Sequence, residues 1–135
     1  MIFAWANGDA AGAADFCKWV EDVLVDVINM TKEKMEKYYD EHVIDTMCRN
    51  ELYKKYYMDT IIEDTSAVAG LELIRRIVGM ANVKDITTIA DEAKRARAEK
   101  ICITAAIDFI KNRSDKKCGK CFLKTLKDAI AEVDA

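Results

Sequence analysis

Arg75 and Arg76 stand side by side in the run LIRRIVGMANVKDI, with Glu72 four residues before Arg76 and Gly79 three residues after it. Guanidinium groups stay charged and offer a planar fork of donors. A pair of them beside a residue without a side chain can therefore clamp a phosphate or a transferring phosphoryl group. The same residues allow a plainer reading. Glu72 before Arg76 is the spacing and order of an ordinary ion pair on a helix surface, and spacing alone favours that reading.

A second candidate chemistry lies in Cys118-Gly-Lys-Cys121. A CxxC that opens a helix sets a thiol near the helix N-terminus, where its pKa falls and thiolate chemistry is favoured. The motif lacks the preceding strand and βαβ setting of a thioredoxin-like site. Zinc would need two more ligands, which Cys17, Cys48 and Cys102 supply only if the fold gathers them. Each of those three sits in a helical stretch, where a free cysteine is commonly a small core residue. His42, the only histidine, has no partner set for zinc or for a dyad and reads as structural or surface. No catalytic, cofactor-binding or metal-binding residue is assigned within the chain.

The arginines need a helix to hold them, and the apolar pattern supplies one over about Ser66 to Met80. On a helical wheel Ala67, Leu71, Ile74, Ile77, Val78 and Ala81 share one face, which the pattern assigns to a core. Arg76 falls nearly opposite Ile74, Arg75 lies on the flank, and Gly79 leaves the surface beside the pair bare. Upstream, Asp64 with Thr65 or Ser66 gives a polar helix start, separating this helix from one that begins near Asn50 and carries Leu52, Tyr53, Tyr56, Tyr57, Thr60 and Ile61.

Before that, Phe16, Trp19, Val20, Val23, Leu24, Val27 and Ile28 repeat at helical spacing. The pattern continues through Met35, Tyr38 and Tyr39 to Val43 and Ile44, giving one long helix whose aromatic and methionine stripe is assigned to packing. After Asn82 the segment VKDITTI breaks the pattern. A further long helix follows Asp91, with Ala93, Ala96, Ala98, Ile101, Cys102, Ala105, Ala106, Phe109 and Ile110. Asn112 to Lys120 reads as a polar loop, and a last helix from about Cys121 uses Phe122, Leu123, Leu126, Ile130 and Val133.

The opening residues MIFAWANG read as the last turns of a helix stopped at Gly8. A helix so short hardly forms alone, so Met1 is expected to fall inside a helix that begins upstream, either in a longer product or in an ancestral one. The other reading is a native start with the apolar turn tucked into the core. The segment lacks the basic flank and length of a secretory signal, and no segment is apolar enough to cross a bilayer. Five cysteines, an odd number, and no export signal point to a reducing cytoplasm.

Composition sets the class. The chain has 135 residues, 51% hydrophobic, with no proline and only five glycines, so helices are favoured over strands and one domain is expected. The fold class is therefore all-α, a bundle of about five helices over residues 1–135, with 1–8 the end of a truncated helix. The net charge of -3 divides unevenly: seven Lys/Arg against fourteen Asp/Glu up to Asp64, then fourteen against ten. The basic residues Lys94, Arg95, Arg97, Lys100, Lys111, Arg113, Lys116, Lys117 and Lys120 are interleaved with acids and lack an aromatic series. They read as a solvated face and not as a nucleic-acid track.

The string LIRRIVGMANVKDITTI resembles the paired-arginine signature near the C-terminal end of the 5-methylthioribose kinases. KWVEDVLVDVINMTKEKMEKYYDE looks like that family's long helix after the catalytic centre, and ELYKKYYMDTIIEDTSAVAG like the helix leading into the arginines. The resemblance runs roughly from Ile2 to Ile130, with the arginine stretch its specific part. It implies a fold similar to the choline kinase and aminoglycoside phosphotransferase group. It also implies ATP-dependent phosphorylation of the 1-hydroxyl of 5-methylthioribose in methionine salvage. Arg75 and Arg76 would contact the sugar or the transferring phosphoryl group.

Some parts of the family pattern are missing. The chain has no glycine-rich nucleotide loop with a strand lysine, no His-Gly-Asp catalytic loop and no metal-binding Asp/Glu segment. Asn82 stands where the family usually has histidine, and Glu72 where a lysine is common. The expectation is a C-terminal, substrate-side helical fragment of such a kinase, inactive alone and binding neither the ATP nor the Mg2+ of the family. Its partners would be the small sugar, when the catalytic part is present, and a second copy or partner protein over the surface left exposed, with no nucleic acid or membrane. The alternatives are an independent helical interaction module or a CxxC thiol-redox or metal-binding protein.

Overall fold

A computed structural model describes residues Met1–Ala135. It consists of α1 (Ile2–Ala10), α2 (Ala14–His42), α3 (Glu51–Ile77), α4 (Lys84–Thr87), α5 (Glu92–Lys111), a 3₁₀ turn at Arg113–Asp115 and α6 (Gly119–Asp134), with no strand. The all-α expectation holds. α5 lies at the centre, where Ile101, Cys102, Ala105, Ala106 and Phe109 are fully buried. α3 and α6 pack on it, and α1 and α2 complete the core through Ile2, Trp5, Val20, Leu24 and Ile28.

The structure departs from the pattern reading in three respects: the end of α1, the division of the chain around α3, and the rotation of α3. α1 does not stop at Gly8: it runs to Ala10 and ends at Gly12, whose φ of 74° only glycine adopts without strain. Gly12 N–H donates to Asp9 O and Ala13 N–H to Gly8 O, the paired bonds of a Schellman end. Gly8 is instead a contact point, since a Cβ there would lie 2.6 Å from the Phe16 ring.

The two helices expected on either side of Asp64–Ser66 are one, α3. Its hydroxyl residues turn back on their own helix, with Thr60 Oγ1 donating to Tyr56 O and Thr65 Oγ1 to Ile61 O, so neither caps a new start. Asn50 is the cap that forms, its side chain accepting from Leu52 N–H and Tyr53 N–H. Lys84–Thr87 adds a short sixth helix inside the segment that breaks the pattern.

The third difference is the rotation of α3. Its buried residues are Met58, Ile62, Ser66, Gly70 and Leu73, while Leu71 and Val78, assigned to the core by the wheel, are 59% and 75% exposed. Close approach to α5 decides this. Ser66 Oγ donates to Phe109 O at 2.8 Å, and a Cβ on Gly70 would lie 2.7 Å from Ala106 O. Small residues let the two backbones meet, so the seam is marked by Ser66 and Gly70 and not by the largest apolar side chains.

Polar ties join the helix ends. Glu21, buried on α2, accepts from Trp5 Nε1 at 3.0 Å and pairs with Lys127, linking α1, α2 and α6. Arg97 pairs with Asp9 and with Asp134. Lys116, buried, pairs with Asp108 at 2.6 Å, and Lys117 pairs with Glu63. Several cations read as a solvated face are thus cross-links between elements. The aromatic stripe of α2 also departs from expectation: Phe16 and Trp19 are 41% and 59% exposed, their rings 5.8 Å apart on the outside of the helix.

Candidate functional site

The rotation of α3 separates the roles of the two arginines. With Leu73 in the core, Glu72 and Arg76 come to the rim of a cavity of about 650 Å³, while Arg75 points away and does not line it. The cavity floor is apolar, made by Leu24 and Ile28 of α2, Phe109 of α5 and Phe122 of α6. Ile2 and Phe3 of α1 form one wall. The Asn82–Lys84 segment forms another, fixed to α1 by Asn7 Nδ2 donating to Asp85 O at 2.6 Å.

Glu72 holds both arginines. Arg75 donates through Nε and Nη2, each at 2.8 Å, and Arg76 through Nε at 2.7 Å. Hydrogen bonds from Arg76 and then Arg75 keep the Glu72 carboxyl below its ordinary range and therefore ionised. The ion-pair reading from spacing is present in full. It does not exhaust Arg76, whose two Nη groups make no hydrogen bond within the chain and remain available at the cavity rim. Lys84 Nζ on the facing wall is likewise free of any ion pair.

Both arginines occupy the last turn of α3, where cations are favoured by the helix dipole. An anion near that end gains from the guanidinium and loses to the carbonyl ends, so the attraction rests on the side chains. Gly79 does not open the surface as expected. It follows the helix end, with its N–H donating to Arg75 O at 3.1 Å, and a Cβ would lie 2.3 Å from that oxygen. Its bareness serves the helix stop.

The residues that sequence reasoning missed are Lys84, Thr65 and Phe3. They come to the cavity from three elements, and no periodicity within one element could signal their meeting. The chemistry available is mixed. One side offers guanidinium, ammonium, carboxylate and amide groups suited to hydroxyls and an oxyanion, and the floor suits a small apolar group.

The chain is 30% identical to a methylthioribose kinase of Bacillus pumilus over 90 residues, covering 67% of this chain and 23% of that protein. This chain is similar to the methylthioribose kinases. It is also 27% identical to methylthioribose kinase 2 of Oryza sativa subsp. japonica over 121 residues, covering 79% of this chain and 28% of that one. With the methylthioribose kinase of Escherichia coli it shares 26% over 109 residues, or 73% of this chain and 26% of the other. The chain thus spans about a quarter of the length of the curated relatives it matches. No protein-family model matches it.

The other sequence candidates fall elsewhere. His42 is exposed, stacked on Tyr38 with ring centroids 3.9 Å apart, its Nδ1 within 3.0 Å of Tyr38 O, and it meets no second ligand. It lies at a larger cavity, about 800 Å³, between the C-terminal part of α2 and the start of α3, lined by Tyr38, Tyr39, Tyr53 and Tyr57. That cavity holds no arginine and is separate from the one that Glu72 and Arg76 line. Cys17 and Cys102 are buried core residues, and neither joins Cys118 and Cys121. No group of three or more His, Cys, Asp or Glu side chains is placed to hold a metal ion. No helix is long and apolar enough to cross a membrane.

Proposed function

We propose that residues 1–135 act as one helical domain forming the substrate-side part of a methylthioribose kinase-like phosphotransferase, one that phosphorylates 5-methylthioribose with ATP in methionine salvage in the cytoplasm. The observation that carries this is Arg76, with both Nη groups unpaired, at the rim of a cavity whose floor is apolar. The apolar floor suits a methylthio group and the polar rim suits a sugar with a phosphoryl group arriving at its 1-hydroxyl. There the free Nη edge of Arg76 would meet the oxygens of a phosphoryl group on the sugar, whose negative charge a guanidinium stabilises. Arg75, held by Glu72 through two hydrogen bonds, lies outside the cavity, and its part is to share that carboxylate with Arg76.

The residues present do not fit ATP with Mg2+. The chain has no strand, no glycine-rich phosphate loop and no cluster of metal ligands, so no step is assigned to those groups here. Under this reading the nucleotide, the metal ions and the base belong to kinase regions other than these residues, and the isolated chain is inactive. A second reading, an independent helical interaction module, is favoured by the exposed Phe16, Trp19, Val27 and Met30 along α2.

The test is a titration of the 15N-labelled chain with 5-methylthioribose 1-phosphate. Saturable shifts at Arg76, Asn82 and Lys84 that disappear in Arg76→Ala are expected. Shifts scattered equally over the lysines of α5 and α6, or unchanged in Arg76→Ala, would overturn the assignment. So would turnover of ATP and 5-methylthioribose by the chain alone that vanishes in Arg75→Ala.

A further inference from the structure

One chemistry singled out by the sequence is not used at the arginine site. Cys118 is the N-cap of α6 and Cys121 lies in its first turn, and their sulfurs are 3.2 Å apart. Both thiols are half-buried, within reach of a small reagent, whereas Cys17 and Cys102 are buried. The pair is therefore distinct from the core cysteines in both contact and access.

The surroundings hold this geometry. Gly119 packs so closely on α2 that a Cβ would lie 2.2 Å from Val25 O, and its N–H donates to Asn29 Oδ1 at 2.9 Å. The first turn of α6 cannot swing away from α2, and Cys121 N–H donates to Cys118 O at 2.9 Å, closing the turn between the cysteines. Lys116, two residues before Cys118, is fixed by Asp108, and Lys117 by Glu63. Burial pushes the Cys121 thiol up. Hydrogen bonds from Cys118 and from the backbone at Lys117 and Cys118, with the Lys116 charge, outweigh it and leave the thiol below its ordinary 9.0.

We propose that Cys118 and Cys121 form a thiol–disulfide exchange site that takes a low-molecular-weight disulfide of the glutathione class and closes to an internal Cys118–Cys121 bond. The Cys121 thiolate attacks one sulfur of the reagent, forming a mixed disulfide and releasing one thiolate. Cys118 then gives up its proton and attacks the Cys121 sulfur, releasing the second. The two cysteines lose two electrons and two protons, and the reagent becomes two thiols. Closure needs the sulfurs to approach by about 1 Å, to the roughly 2.0 Å of a disulfide, which side-chain rotation can supply without moving a locked helix start.

The reduced chain of residues 1–135 is mixed with glutathione disulfide at neutral pH, quenched with acid and examined by intact mass and peptide mapping. The expected product has lost two hydrogens and links Cys118 to Cys121. Cys118→Ser should instead accumulate a glutathione adduct on Cys121, and Cys121→Ser should react at least about tenfold more slowly, in line with the loss of the attacking thiolate. A wild-type chain that stays reduced at both positions while Cys48 is modified would overturn the proposal. So would adducts at Cys118 and Cys121 that never close.

Discussion

Glu72 Oε1 accepts from Arg76 Nε at 2.7 Å, and this one bond joins the plain reading of the arginine pair to the functional one. The carboxylate fixes the Nε edge of Arg76 and leaves its Nη edge at the cavity. It also presents a negative charge where an oxyanion would sit. Glu72→Gln should therefore tighten binding of 5-methylthioribose 1-phosphate by about two- to fivefold, the scale of one exposed ion pair. Weaker binding in Glu72→Gln would show that the carboxylate orients Arg76 more than it competes with the ligand.

Gly70 sets the rotation of α3. In an open helix, glycine to alanine gains about 1 kcal/mol of helix propensity. Here the new methyl would lie 2.7 Å from Ala106 O and from Ile110 Cγ1, and the carbonyl belongs to a helix backbone that cannot yield cheaply. Gly70→Ala is expected to destabilise by about 1–3 kcal/mol in urea unfolding. Ser66→Ala, which removes only the bond to Phe109 O, should cost about 1 kcal/mol. A neutral or stabilising Gly70→Ala would contradict the close α3–α5 seam.

Asp108 gives acid unfolding a defined source. Partial burial pushes its carboxyl up, but hydrogen bonds from Lys116, Thr125 and Asn112 dominate and bring it from 3.8 to about 2. A carboxyl depressed in the folded state contributes stability that is present above 3.8 and is lost as pH falls toward 2. Asp108→Asn should cost about 1–3 kcal/mol near neutral pH, because Lys116 is left buried without its counter-charge. That difference should shrink below pH 4 in denaturant titrations. A difference that does not change with pH would remove Asp108 as the source.

The five cysteines should separate by reactivity. Burial pushes the Cys102 thiol up to about 12 and raises Cys17 as well, while Cys121 is lowered. A time course with iodoacetamide near pH 8, read by peptide mass, should label Cys121 first and Cys102 only on unfolding. Early labelling of Cys102 would show that α5 is not the sealed centre of the fold.

The two tryptophans offer an independent check on α2. Trp5 is 4% exposed and donates to Glu21, whereas Trp19 is 59% exposed. Acrylamide should quench only about half of the fluorescence readily, and Trp19→Phe should remove that fraction with little change in stability. Trp5→Phe should cost about 1–2 kcal/mol, since buried Glu21 loses a donor. Protection of Trp19 in the isolated chain at micromolar concentration would reveal a contact covering the outer face of α2.

Sequence alone determined the class and the local pairs. The absence of proline, the scarcity of glycine and the helical apolar spacing dictated an all-α chain, and the central helix was legible from Ala98 to Phe109, which bury what their period says they should, whereas Ala93 and Ala96 in its first turns lie exposed. Glu72 with Arg76 was legible because four residues on a helix always bring side chains together. CxxC was legible as a helix start for a similar local reason.

Tertiary structure decided what depends on neighbours far along the chain. The face of α3 that is buried was chosen by how closely its backbone could approach α5, a property of Ser66 and Gly70 that hydrophobicity does not report. That choice put Arg76 at a cavity and Arg75 outside it. It also brought Phe3, Thr65 and Lys84 to the same rim from three elements, and paired Lys116 with Asp108 in a buried site that charge counting reads as solvated surface. Local period fixes which residues are helical. Only the packing of one helix on another fixes which of its sides lines a cavity.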